Sequence, residues 1–140
     1  HLMWLRIILL ILTLLPDAMT GRAVYYGRSW NWNDIAARQE VLIPPGAVPV
    51  AHWNCQDLGR SGWLRLQDAM PFRVVVADCT APEDLERVKR RQIVAEIPYD
   101  LAATVPGMLS DGWATGTLWL GPVSRPSLPT RRSSLSTPTS

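Results

Sequence analysis

The sequence is poor in lysine, phenylalanine, cysteine and long apolar runs, and each shortage excludes something. Lys89 is the single lysine among 14 basic residues. Between Ala23 and Val123 nine basic residues stand against eleven acidic ones, a net of −2, so the overall excess of +2 lies in the two ends. A nucleic-acid-binding surface needs a basic stripe to neutralise phosphates, and this balance does not support one. Two cysteines, Cys55 and Cys79, rule out a disulfide-dense mini-scaffold. No spacing of His, Cys and carboxylates resembles a metal site, so neither metal nor cofactor is expected. The most apolar stretch, Ile7 to Leu15, has nine residues, against the roughly 20 of a membrane-spanning helix.

What remains is one domain's worth of chain. Of 140 residues, 47% are apolar and 19% charged, which suits a globular core. Seven Trp against one Phe make the aromatic content mostly indole. The N-terminal segment reads as a secretory leader: Arg6, then the apolar run, then Pro16-Asp17, then small residues at Gly21 and Ala23 for cleavage after Ala23. The expected organisation is a signal peptide over 1–23, a domain over 24–123, and a tail over 124–140. That tail, built from Ser, Thr, Pro and Arg, is either disordered or non-native. Secretion into the cell envelope or beyond is the expected location. Membrane contact is expected only through the N-terminal segment if it stays uncleaved.

The central hundred residues read as mostly β. Val48 to Trp53 and Trp63 to Gln67 alternate, the latter with Leu64 and Leu66 on the inner face. Phe72 to Ala77 is β-branched and apolar enough for a strand buried on both faces. Ile93 to Ile97 and Thr115 to Leu120 are further short strands, and Tyr25 and Tyr26 sit in the first, one facing in and one out. Two short helices are expected. One starts near Thr80-Ala81-Pro82, with Thr80 as cap, and ends at the cations Lys89 to Arg91; the other runs from Tyr99 to Val105. Short strands at this spacing suggest a small barrel.

The segments AVYYG (Ala23 to Gly27), IPPG (Ile43 to Gly46), VPVAHWN (Val48 to Asn54), VVVADC (Val74 to Cys79), VAEIPYDLA (Val94 to Ala102) and GTLWLGP (Gly116 to Pro122) come in an informative order. That order resembles the six-stranded double-psi β-barrel of the rare-lipoprotein-A-like, barwin and expansin group. The resemblance covers nearly all of residues 23 to 122. It implies a secreted monomer that cleaves or binds peptidoglycan or another cell-wall polysaccharide, in the first case as a lytic transglycosylase. It also implies that Asp78 occupies the place of the family's key carboxylate. Glu96 stands where that family usually has Asp. Glu40 stands where its catalytic members often have His, and Cys79-Thr80-Ala81 replaces the usual Arg-Gly-Pro.

The residues carry a chemical reading of their own. A carboxyl at the end of a buried strand is partly desolvated, which favours its protonated form, and a general acid for glycosidic cleavage must hold a proton near neutral pH. Asp78 fits that description, or else it caps the following helix. Glu40 and Glu96 are the candidate neighbours whose charge would act on it, or else they are solvated. Trp30-Asn31-Trp32-Asn33, read as alternating, puts two indoles on one face for stacking on sugar rings. The alternative is that Trp30 and Trp32 are packing residues, and Tyr26 is the third candidate for substrate binding. His52 is expected to be packed or exposed rather than a ligand. Cys55 and Cys79, each after a strand end, either form a disulfide or remain two buried thiols.

Overall fold

Alternation along the strands decides what enters the core. In the computed structural model, which describes residues 2–13 and 18–121, an N-terminal helix α1 (Leu2–Thr13) precedes β1 (Ala18–Tyr25), α2 (Trp32–Arg38), β2 (Val48–His52), β3 (Ser61–Leu66) and β4 (Phe72–Cys79). Then come α3 (Leu85–Arg90), β5 (Ile93–Ile97), α4 (Tyr99–Ala102), α5 (Met108–Asp111) and β6 (Ala114–Leu120). In β3, Gly62, Leu64 and Leu66 are buried while Trp63 is exposed. In β4, Val74 to Ala77 are all buried, as a strand covered on both faces must be.

The six strands close into a mixed barrel in the order β1-β5-β2-β4-β3-β6. Two neighbouring pairs, β1 with β5 and β2 with β4, are parallel; the other four are antiparallel. Closure leaves no sheet edge unpaired along the ring. The inside is filled by Ala23, Val50, Leu64, Leu66, Val74, Val76, Ala95, Ile97, Leu118 and Leu120, with Met108 and Ala102 from the helices. Tyr25 packs against this core, and Tyr26 turns to the other side to meet Asp78.

Several expectations about local structure need correction. Trp30 to Asn33 is not a strand. Asn31 is the N-cap of α2, its side-chain oxygen accepting from the backbone N–H of Asn33 (2.9 Å) and Asp34 (3.2 Å). Thr80 does not cap the helix near it. Ala81 takes that position without a side-chain bond, Pro82 opens a 3-10 turn (Pro82–Asp84), and α3 follows. The helix expected from Tyr99 to Val105 ends at Ala102, and a further short helix, α5, follows it. The first strand begins at Ala18, six residues before the expected domain boundary at 24. Ala18 to Ala23 pair with β6, so a leader ending at Ala23 would remove most of β1. A cut that leaves the barrel whole lies before Ala18. In α1, Leu2, Met3, Trp4, Leu10 and Ile11 are exposed, and no helix among the described residues is long and apolar enough to cross a membrane. The tail at 124–140 lies outside the described residues.

Two bulges shape the sheet. On β4 the register moves from Val50↔Val76 to Ala51↔Asp78, so Ala77 is an extra residue. On β5 it moves from Arg22↔Ile93 to Ala23↔Ala95, so Val94 is extra. A bulge re-aims the side chains that follow it. His52, 2% exposed, serves the second bulge: its Nδ1–H donates to the Val94 carbonyl at 2.7 Å. Its Nε2 lies 3.4 Å from Asp57 Oδ2, and Asp57 is held by Arg60 at 2.8 Å. Burial is the main cause that lowers the His52 pKa. It is a structural strut, and of the two expectations for it, packed or exposed, the structure shows the packed one.

Candidate functional site

The bulge at Ala77 creates the site. Residues paired across a ladder share a face. Val50 and Val76 point into the core, so the next register row, Ala51 and Asp78, points outward. On its other side Ala51 pairs with Glu96, in the one register pair that joins β2 to β5. Glu96 lies between Ala95 and Ile97, both core residues, and so faces outward too. Asp78, Ala51 and Glu96 thus form one row on the outer wall of the barrel. Their strand spacing puts the two acidic backbones about 9–10 Å apart. The small alanine between them adds no side chain that could separate the two carboxyls.

Asp78 is held by three donors. The Tyr26 hydroxyl donates to Oδ2 at 2.7 Å, the Gln39 side-chain amide to Oδ1 at 2.8 Å, and the Cys79 backbone N–H to Oδ1 at 2.9 Å. Burial, followed by the bond to Asp78 and the charges of Glu96 and Asp78, pushes the Tyr26 hydroxyl far above its ordinary value, so it remains a donor. The Tyr26 ring contacts two indoles, edge-on to Trp30 at 5.8 Å and tilted against Trp32 at 4.6 Å. Gln39 is delivered by α2, which packs Ile35 and Ala36 onto β4; one turn later the same helix face carries Gln39. Cys79 is disulfide-bonded to Cys55, so the strand end bearing Asp78 is tied to the 3-10 turn Cys55–Asp57.

Glu96 is the carboxyl whose pKa is raised, first by burial and then by the charge of Asp78; Arg87 opposes the shift and Asp84 adds to it. A folded-state value above the unfolded one means that the native chain binds more protons across that window. Stability is therefore lost as pH rises from the ordinary glutamate range through the raised value. Glu96→Gln mimics the neutral form. It is expected to melt several degrees above wild type at pH 7.5 and level with it at pH 3.5, in thermal denaturation followed by circular dichroism. A variant that melts lower at pH 7.5 would show that ionised Glu96 is not a burden on the fold.

Two clefts meet at Asp78. One, of about 500 Å3, is lined by Tyr26, Trp30, Asp78, Asp84, Arg87 and Glu96, among others. The other, of about 530 Å3, shares Trp30, Asp78 and the Cys79 to Ala81 segment and adds Ile35, Arg38 and Gln39. Together they make a groove that runs past Asp78 with Trp30, 55% exposed, along its wall. The structure brings Asp78, Glu96, Tyr26 and Trp30 together. Trp32 lines neither cleft and instead backs the Tyr26 ring. Glu40 is exposed beyond the end of α2 with φ 58°, and the residue that reaches Asp78 is its neighbour Gln39.

The helix α2 and its reversal at Glu40, which together bring Gln39 to Asp78, are not among the expected elements. The signal was present in Asn31 followed three residues later by Asp34 and then Ile35-Ala36-Ala37-Arg38, an N-cap before a helical run. Among the described residues no group of three His, Cys, Asp or Glu is placed to hold a metal ion. No protein-family model and no curated protein sequence matches this chain. The site is therefore read from its own geometry.

Proposed function

We propose that this groove binds and cleaves a cell-wall polysaccharide of the peptidoglycan type, in the manner of a lytic transglycosylase, and that the chain works in the cell envelope or outside the cell. The observation that carries the reading is a pair of unlike carboxyls on one outer row, Asp78 where two clefts meet and Glu96 in the wall of one of them. Both oxygens of Asp78 accept hydrogen bonds, so Asp78 acts as the anion. Glu96, partly desolvated and beside that anion, holds the proton. The expectation that Asp78 itself donates is thus revised in favour of its neighbour.

In the step, Glu96 protonates the glycosidic oxygen as the bond from C1 to that oxygen breaks. Asp78 stabilises the positive charge that develops on the sugar ring. Glu96, now ionised, takes a proton from the sugar's own C6 hydroxyl as that oxygen closes on C1. The product is a 1,6-anhydro sugar, no water is consumed, and Glu96 ends protonated as it began. Tyr26 and Gln39 are positioning residues that fix the Asp78 carboxylate. The ordered segments that resemble the double-psi barrel group support the same substrate class.

The test is incubation of wild type, Asp78→Asn and Glu96→Gln with purified sacculi, with mass spectrometry of the soluble fraction. Anhydro-muropeptides are expected from wild type, with yields at least about 100-fold lower from Glu96→Gln, the usual scale for a lost general acid. Wild-type yield should fall as pH rises through the raised value of Glu96. Equal yields from all three proteins would remove both carboxyls from the mechanism. A second reading, a non-catalytic expansin-like binding module, is favoured by the exposed Trp30 indole, which flanks both clefts. It predicts protein in the pellet, no products, and loss of pelleting in Trp30→Ala.

A further inference from the structure

The two halves of the groove differ in charge. The cleft on the Glu96 side holds three carboxyl groups, Asp78, Asp84 and Glu96, against the single cation Arg87. That cation is already engaged, its guanidinium lying 3.3 Å from Asp84. Beyond Asp78 the second cleft contains no further acidic residue and gains Arg38, from the last turn of α2. No described carboxylate lies within ion-pair distance of Arg38. The Gln39 amide beside it is spent on Asp78. Arg38 is therefore the one charged group in this half of the groove, apart from Asp78 at its border, and it has no partner among the described residues.

We infer that Arg38 is a specificity-determining residue that recognises a carboxylate on the saccharide, and so sets which way a charged glycan strand lies across Asp78. The inference rests on the glycan reading above and deepens it. A planar guanidinium matches a carboxylate with two parallel N–H···O bonds, which a neutral sugar cannot return. The acidic half repels the same carboxylate, so the groove favours one register of a strand that carries a carboxylate on some of its sugars. In that register a neutral sugar lies against Glu96 and the charged one against Arg38 and Trp30.

The experiment measures binding of the full-length chain to peptide-free glycan strands with free carboxylates, and to the same strands with every carboxylate converted to a methylamide, by calorimetry at 4 °C. Wild type is expected to hold the carboxylate form about fivefold tighter, within the range of a partly exposed ion pair. The preference should shrink in 1 M salt, where the screening length is about 3 Å. In Arg38→Gln the ratio should fall to about one, and in Arg38→Glu the methylamide form should bind better. Arg38 is exposed at a helix end, so these variants keep the fold. Wild-type binding without preference, or a preference that survives Arg38→Gln, overturns the role of Arg38 and leaves the glycan reading standing. Binding of neither strand by wild type overturns both.

Discussion

Gly62→Ala is expected to cost roughly 3–5 kcal/mol, the range of the severest single substitutions, and to lower the melting temperature by about 15–30 °C. Gly62 lies in β3 opposite Leu120 of β6 and Val74 of β4. A Cβ built there would stand 2.0 Å from the Trp119 carbonyl oxygen and 3.0 Å from the Leu120 Cα. These are backbone atoms, so no side chain can swing aside. The two strands must separate, and separation breaks the β3–β6 ladder that closes the barrel. Gly46 supplies the contrast. Its φ is +83°, but nothing lies within 4 Å of the position a Cβ would take. Gly46→Ala is therefore expected to cost only about 1 kcal/mol, the usual penalty for a left-handed alanine. Thermal melts of the two variants check both figures. A Gly62→Ala protein that melts within a few degrees of wild type would mean that the strands do not approach as closely as described.

Removal of the Cys55–Cys79 disulfide, as the double Ser variant, is expected to cost about 3–4 kcal/mol in the loop-entropy account. The bond closes a loop with a sequence separation of 24, and the unfolded chain regains that loop's freedom. The melting temperature should fall by about 15–25 °C. The effect on the site should exceed the effect of stability alone. Cys79 adjoins Asp78, and its backbone N–H is one of the three donors to that carboxylate. Assays well below the lowered melting temperature should therefore show a weaker form of the proposed glycan activity, with no further loss when reductant is added. Wild type treated with reductant should reproduce both changes. Coincident melting curves for reduced and oxidised wild type would show that the bridge contributes nothing to the fold.

Local pattern carried much of the architecture. The alternation of Trp63 to Leu66, the apolar run Val74 to Ala77 and the strand Ile93 to Ile97 placed three strands, because side chains on a half-buried strand must repeat with period two. The same logic failed at Trp30 to Asn33. There Trp and Asn alternate by composition, while Asn31 caps a helix whose apolar face, Ile35 and Ala36, lies on β4. The cap outweighs the alternation because its side-chain oxygen satisfies two amides that the helix leaves open. Because α2 is hidden by that alternation, so is Gln39, whose amide reaches Asp78. Of the two readings open for Trp32, stacking on a sugar or packing, its ring packs on Tyr26.

By itself the sequence determined a mostly β domain of about a hundred residues, a β-branched strand leading into Asp78, two cysteines at or just past strand ends, and an apolar run over Ile7 to Leu15. Those properties depend on composition and on periods of a few residues, which neighbouring side chains fix among themselves. Only the tertiary structure decided that the barrel begins at Ala18, that Cys55 and Cys79 pair, and that Glu96 shares an outer row with Asp78 across Ala51. Each of these is a meeting of distant segments. Two single-residue bulges set the registers, and a shift of one residue in either strand would turn every following side chain to the opposite face of the wall.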